Sequence, residues 1–159
     1  MKHILTRLIP AALVLCLTLT ACGGKDDGSG AGYDPAATAQ ALLDSGAFAD
    51  TLDTTDKDTV AVLYGVEADS IVDCACYTSL SAGAEEIAVL TMKDADSAKA
   101  AMAGMEARVA DQKTALESYQ PDEVSKLDKA ILTQSGNTVV LVVAADADKA
   151  QSTLDGLSK

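Results

Sequence analysis

The chain contains one histidine, His3, no tryptophan, and five aromatic side chains in all: Tyr33, Phe48, Tyr64, Tyr77 and Tyr119. Each scarcity closes a class of chemistry. His3 lies in an N-terminal segment that reads as a cleavable signal, so the remaining chain is expected to have no histidine at all. Histidine-dependent triads, Cys-His pairs and His-containing zinc sites are thereby excluded. Five dispersed rings offer little for stacking platforms that hold bases or sugars. There is no G-x-x-x-x-G-K-[ST] loop and no G-x-G-x-x-G after a strand, so the common phosphate cradles are missing too. No catalytic, cofactor-binding or metal-binding residue is expected, and no cofactor.

Basic residues are also scarce, 12 against 24 acids, for a net charge of −12. Two of the twelve, Lys2 and Arg7, sit in the N-terminal segment, and without it the charge is −14. Such a surface repels nucleic acid and anionic headgroups, so nucleic acid is not an expected partner. The acidity also simply keeps an exposed domain soluble.

What is present begins at the N-terminus. Residues 1–21 carry Lys2, His3 and Arg7, then an apolar stretch from Leu8 to Leu17 with no acid. That is the layout of a secretory signal, and the stretch, interrupted by Pro10, is short of the roughly 20 apolar residues that a membrane span needs. Cleavage after Gly23, preceded by Ala21, is one option. The closer match is Leu19-Thr20-Ala21-Cys22, which resembles the lipobox of bacterial lipoproteins. The resemblance implies a diacylglycerol on the Cys22 sulfur, removal of residues 1–21, and a protein held at the outer face of the cell membrane. Two acyl chains, at about 0.8 kcal/mol per buried methylene, anchor a protein stably where one does not. Residues 22–33 then serve as lipidated cysteine and flexible tether, a Gly- and Ser-rich coil reaching only about 17 Å.

Residues 34–159 read as one α+β domain. Asp34 and Pro35 open a helix that Gly46 closes. Strands are expected over Ser70 to Tyr77 and Glu85 to Met92, then a long helix from Asp94 that ends before Pro121. Two further strands flank Gly136-Asn137, and a last helix closes the chain. A shift of 52 residues aligns Asp94, Ala95, Asp96, Ala98 and Gly104 with Asp146, Ala147, Asp148, Ala150 and Gly156. A duplicated ββα unit and chance similarity in Ala- and Asp-rich stretches both account for it. The expectation is a four-stranded antiparallel sheet with helices on one face. Ile87, Val89, Val139 and Leu141 are placed in central strands, with Met102, Met105, Val109, Leu154 and Leu157 packed on them.

Glu85 to Val89 before the long helix, Tyr119 with Pro121 after it, and Gly136-Asn137 before Val139 resemble domain of unknown function 4358 over roughly Tyr33 to Leu157. The resemblance implies a tethered extracytoplasmic domain with no established activity, and it transfers no catalytic residue. The Cys74 and Cys76 pair stands outside that family's pattern.

Three constellations invite chemistry. Glu85 and Glu86 are adjacent acids, but neighbours on a strand point to opposite faces, so they are expected to mark a strand entrance and not one cleft. The pairs Asp56/Asp58, Asp94/Asp96 and Asp146/Asp148 hint at calcium, yet from Asp56 the loop positions that need an oxygen ligand and Gly hold Val60 and Ala61. Helix capping fits the two later pairs. Cys74 and Cys76 are read as packing residues, with a strained disulfide or a metal clip as alternatives. Lys99, Glu106, Asp111, Lys113 and Glu117 form a solvated helix face. The chain is therefore expected to be a lipid-anchored, non-catalytic envelope protein that contacts another protein. A small-ligand or cation-binding lipoprotein and a carboxylate-dependent hydrolase are the alternatives.

Overall fold

The structure is a computed structural model that describes residues 32–157. The expected signal segment, Cys22 and most of the tether lie outside the described residues. The elements in chain order are α1 (Pro35–Asp44), β1 (Leu52–Thr54), α2 (Lys57–Tyr64), a 3₁₀ turn (Ala68–Ser70), β2 (Ile71–Ser79) and β3 (Glu86–Met92). They continue with α3 (Ala95–Leu116), α4 (Pro121–Leu127), β4 (Ile131–Ser135), β5 (Thr138–Val143) and α5 (Ala147–Leu157). The strands form one sheet in the order β1-β2-β3-β5-β4, antiparallel throughout.

The two central strands explain the layers. β3 and β5 are nearly continuous apolar runs, so neither of their faces can be left to water. Alternate residues serve opposite sides. Ile87, Val89, Val140 and Val142 meet Leu42 of α1 and Leu154 of α5, whereas Ala88, Leu90, Val139 and Leu141 meet Tyr64 of α2, Met105 and Val109 of α3 and Leu127 of α4. Helices therefore cover both faces of a five-stranded sheet, which corrects the expectation of four strands with helices on one face. The fifth strand, β1, is three residues of Leu-Asp-Thr, too short and polar for any period to show. The helices on the second face were implied by the apolar runs themselves.

The local chemistry is conventional. Asp34 Oδ1 accepts from Ala37 N–H at 2.8 Å, and Pro35 opens α1. Asp56, Asp94 and Asp146 do the same for α2, α3 and α5, accepting from Thr59, Ser97 and Lys149 at 3.0, 2.7 and 3.0 Å. All three Asp-x-Asp pairs thus begin helices, and the hydrogen bonds from Thr59 and Ser97 pull Asp56 and Asp94 below their ordinary pKa. A one-residue irregularity between Ile71 and Asp73 breaks the alternation of β2. Ile71, not Val72, joins the face of Cys74 and Cys76, and Val72 is 65% exposed.

Met105, Val109 and Leu154 are buried as expected and Met102 partly so, but Leu157, at the last position of α5, is 41% exposed. The two ββα runs put α3 and α5 on opposite faces. A two-fold axis normal to the sheet between β3 and β5 would put both on one face, so the arrangement lends no support to a duplicated unit. The aligned glycines differ as well. A Cβ on Gly104 would meet the Tyr64 carbonyl oxygen at 1.9 Å, while one on Gly156 would meet nothing within 4 Å.

Candidate functional site

The polar chemistry of the described residues gathers on the α2/α3/α4 side. Glu86 opens β3 on the parity of Ala88 and Leu90, so strand alternation points it toward α3. There the guanidinium of Arg108 grips it, Nε to Oε1 and Oε2 at 2.8 Å each and Nη2 to Oε2 at 2.6 Å. The Tyr64 hydroxyl donates to Oε1 and also lies 3.7 Å from Cys76 Sγ. Glu85 precedes the strand and is free of its alternation. Its Oε2 accepts from the N–H groups of Ala49 and Asp50 at 2.9 and 3.0 Å, and its Oε1 meets Lys126 Nζ at 2.9 Å. Lys126 also pairs with Glu123 at 2.7 Å, and Glu123 accepts from Ala84 N–H at 2.8 Å.

Both glutamates are 1% exposed, and both line the same cleft of about 400 Å³. The expectation that they could not share a cleft is corrected by this geometry: the alternation rule applies only within β3, and Glu85 is outside it. One wall of the cleft is Thr55, Thr78 and Ser79, the other is Arg108, Gln112, Leu116 and Tyr119, with the turn at Ala82 and Gly83 across one end. A second hollow of about 410 Å³ adjoins it between α2 and α3 and shares Leu63, Arg108 and Gln112.

The pKa directions follow from burial and charge. Desolvation, then the Glu86 charge, lifts the Tyr64 hydroxyl well above its ordinary value. The same causes, in the same order, push the Cys76 thiol up to about 12. Burial disfavours charge on Arg108, but the hydrogen bonds and charge of Glu86 more than offset it, and the net direction is up. Lys126 behaves likewise between Glu123 and Glu85. Cys74 is half-buried and also raised, by desolvation first and the neighbouring Asp73 charge second.

These bonds decide what the acids can do. Each carboxylate oxygen of Glu85 and Glu86 already accepts from the protein, so both acids are engaged in holding β3 to its neighbours. Cys74 and Cys76 are free thiols on one face, the buried one held protonated. No group of three or more His, Cys, Asp or Glu side chains that could hold a metal ion occurs among the described residues. Cys22, the proposed lipid attachment point, lies outside them. The Asp pairs are dispersed to three helix starts. Arg108, Gln112, Tyr64 and Lys126 escaped the sequence reading. A signal existed for the first: Arg108 falls three residues after Met105, beside the buried stripe of α3, where a charge needs a buried counter-ion and adjacent glutamates supply it.

Fold and site together define an antiparallel α/β domain with a cleft floored by structural ion pairs. A family model described as Domain of unknown function (DUF4358) matches residues 45–144, and the chain belongs to that family. Neither a curated protein nor a solved structure matches it. Among the described residues no helix is long and apolar enough to cross a membrane.

Proposed function

We propose that the protein is a lipid-anchored, non-catalytic envelope domain that contacts another protein at the outer face of the bacterial cell membrane, through the cleft between α2, α3 and the β2–β3 turn. The anchor rests on Leu19 to Cys22 following an apolar signal-like stretch. The observation that carries the rest is the state of Glu85 and Glu86. Two converging acids would favour a carboxylate-dependent hydrolase if their oxygens were open, but these hold the fold together around a cleft whose walls are otherwise idle. Binding without chemistry is what such a site supports. The cation-binding alternative gains nothing from the Asp pairs, which cap helices.

Two measurements test this reading. The wild-type chain should incorporate a fatty-acid analogue and sediment with membranes, and Cys22→Ser should do neither; a labelled serine variant would refute the anchor. A photo-crosslinking residue at Tyr119, beside the cleft, should give a discrete protein adduct in intact cells, while one at exposed Gln151 on the opposite side of the sheet should not. Equal adducts at both positions would contradict a cleft-directed contact.

A further inference from the structure

Two polar groups in the cleft wall have hydrogen-bonding capacity that the protein does not use. Gln112 Oε1 is buried and has no hydrogen-bond partner among the described residues. Arg108 spends Nε and Nη2 on Glu86, which leaves Nη1 without an acceptor among the described residues. A buried amide oxygen without a donor is costly, and native proteins rarely keep one without a reason. The two groups are neighbours on one face of α3, four residues apart, and both line both hollows.

Shape narrows the occupant. The hollows share a wall and follow α3 from Gly104, where a Cβ would strike the Tyr64 carbonyl, to Leu116 and Tyr119. The thirteen residues from Gly104 to Leu116 span twelve helical rises, about 18 Å, the length of five or six residues of extended chain. An elongated track with a spare donor and a spare acceptor suits a peptide backbone, whose C=O meets Arg108 Nη1 and whose N–H meets the Gln112 oxygen. Exposed apolar side chains stand along it, Val62 at 82% and Tyr119 at 62%, ready for alternate apolar side chains of the guest.

Charge narrows it further. Among the described residues Arg108 is the one basic residue of the lining, and Glu86 neutralises it. Lys113 and Lys126 nearby are held by Asp128 and by Glu85 with Glu123. Exposed Asp111 lines the second hollow, Thr55 and Thr59 of the first bracket Asp56, Lys57 and Asp58 in the chain, and the chain as a whole carries −12. Such a track repels acidic segments and attracts basic ones.

We propose that the α2/α3 track binds an extended segment of a partner protein, about six residues long, with alternating apolar and basic side chains. This rests on the reading of the cleft as the protein's contact surface. The probe is a synthetic peptide of about six residues alternating Leu and Lys, blocked at both ends, titrated calorimetrically into the intact chain. It should bind, more weakly as salt rises, while the Leu/Glu counterpart should not bind. Gln112→Ala, which removes an unpartnered group and should leave the melting temperature unchanged, should weaken binding about fivefold. Val62→Ser with Tyr119→Ser should weaken it at least as much. No binding of the Leu/Lys peptide overturns the inference. Undiminished binding by both variants also overturns it, because the attraction would then be diffuse charge alone. If neither peptide binds yet Tyr119 still captures a protein in cells, this inference falls and the broader reading of the cleft stands.

Discussion

The two faces of the sheet are built from the same alternating residues and end up with different work. Against α1 and α5 the residues Ile87, Val89, Val140, Val142, Ala150 and Leu154 form an apolar cluster. Against α2, α3 and α4 the same strands contribute Ala88, Leu90, Val139 and Leu141, but two buried glutamates, an arginine and a tyrosine hydroxyl are packed in with them, and a cleft is left over them. The first face is built from apolar packing. The second carries every buried acid of the described core, and its ion pairs fix the positions of β3, α3 and α4 relative to one another. The difference lies in how charge is used: on the second face Glu85, Glu86, Arg108 and Lys126 are spent on architecture, and a cleft remains beside them.

The largest expected effect lies on the cleft face. Arg108→Met leaves Glu86 buried without its counter-ion and should cost about 4 kcal/mol in denaturant unfolding. A loss under about 1 kcal/mol would mean that Glu86 finds water or another partner and that the faces are less distinct than described. On the apolar face, Leu154→Ala opens a cavity and should cost about 3 kcal/mol while leaving peptide binding in the cleft unaltered. A binding defect in that variant would join the two faces into one unit. Gly104→Ala drives a methyl into the Tyr64 carbonyl, forces α2 away from α3, and should cost about 2 kcal/mol together with most of the cleft's affinity. Retention of both would show that the helices can part without disturbing the track.

The smallest effect at neutral pH comes from the thiol. Cys76 is raised from 9.0 to about 12 in the folded chain, so the native state holds its proton after the unfolded state has lost it. The stability from that burial is complete below pH 9 and is lost as pH rises toward 12, and Tyr64, shifted in the same direction, adds to the loss. Unfolding free energy should therefore fall steeply above pH 9. Cys76 should resist alkylation in the native chain at neutral pH, with two thiols reacting in the unfolded domain. A flat profile, or native Cys76 alkylated as fast as the unfolded thiol, would contradict its burial.

The caps and central strands were legible because their signals are local. Asp34-Pro35 and Asp94 start helices wherever they stand, and the apolar runs of β3 and β5 read as strands without context. α2 was missed although Asp56 caps it as Asp94 caps α3, because its eight residues hold too little apolar period to stand out from a loop. The bulge at Ile71–Asp73 inverted one end of β2, and nothing in Ser-Ile-Val-Asp announces it. The site was the least legible part. Its geometry joins Glu85 and Glu86 to Arg108 and Lys126, 22 and 41 residues away, and such pairings come from tertiary packing alone. The adjacent acids are visible in the sequence, but strand alternation does not govern Glu85, which precedes β3.

The central claim is that the buried acids of the cleft face are structural. A double-mutant cycle with Glu86→Gln and Arg108→Gln, read by denaturant unfolding, tests it most directly. The expected coupling is about 2 to 3 kcal/mol, as for charged groups that share one buried network. A coupling below about 0.5 kcal/mol would show that the pair does not hold the floor of the cleft, and would return Glu86 to the candidates for chemistry.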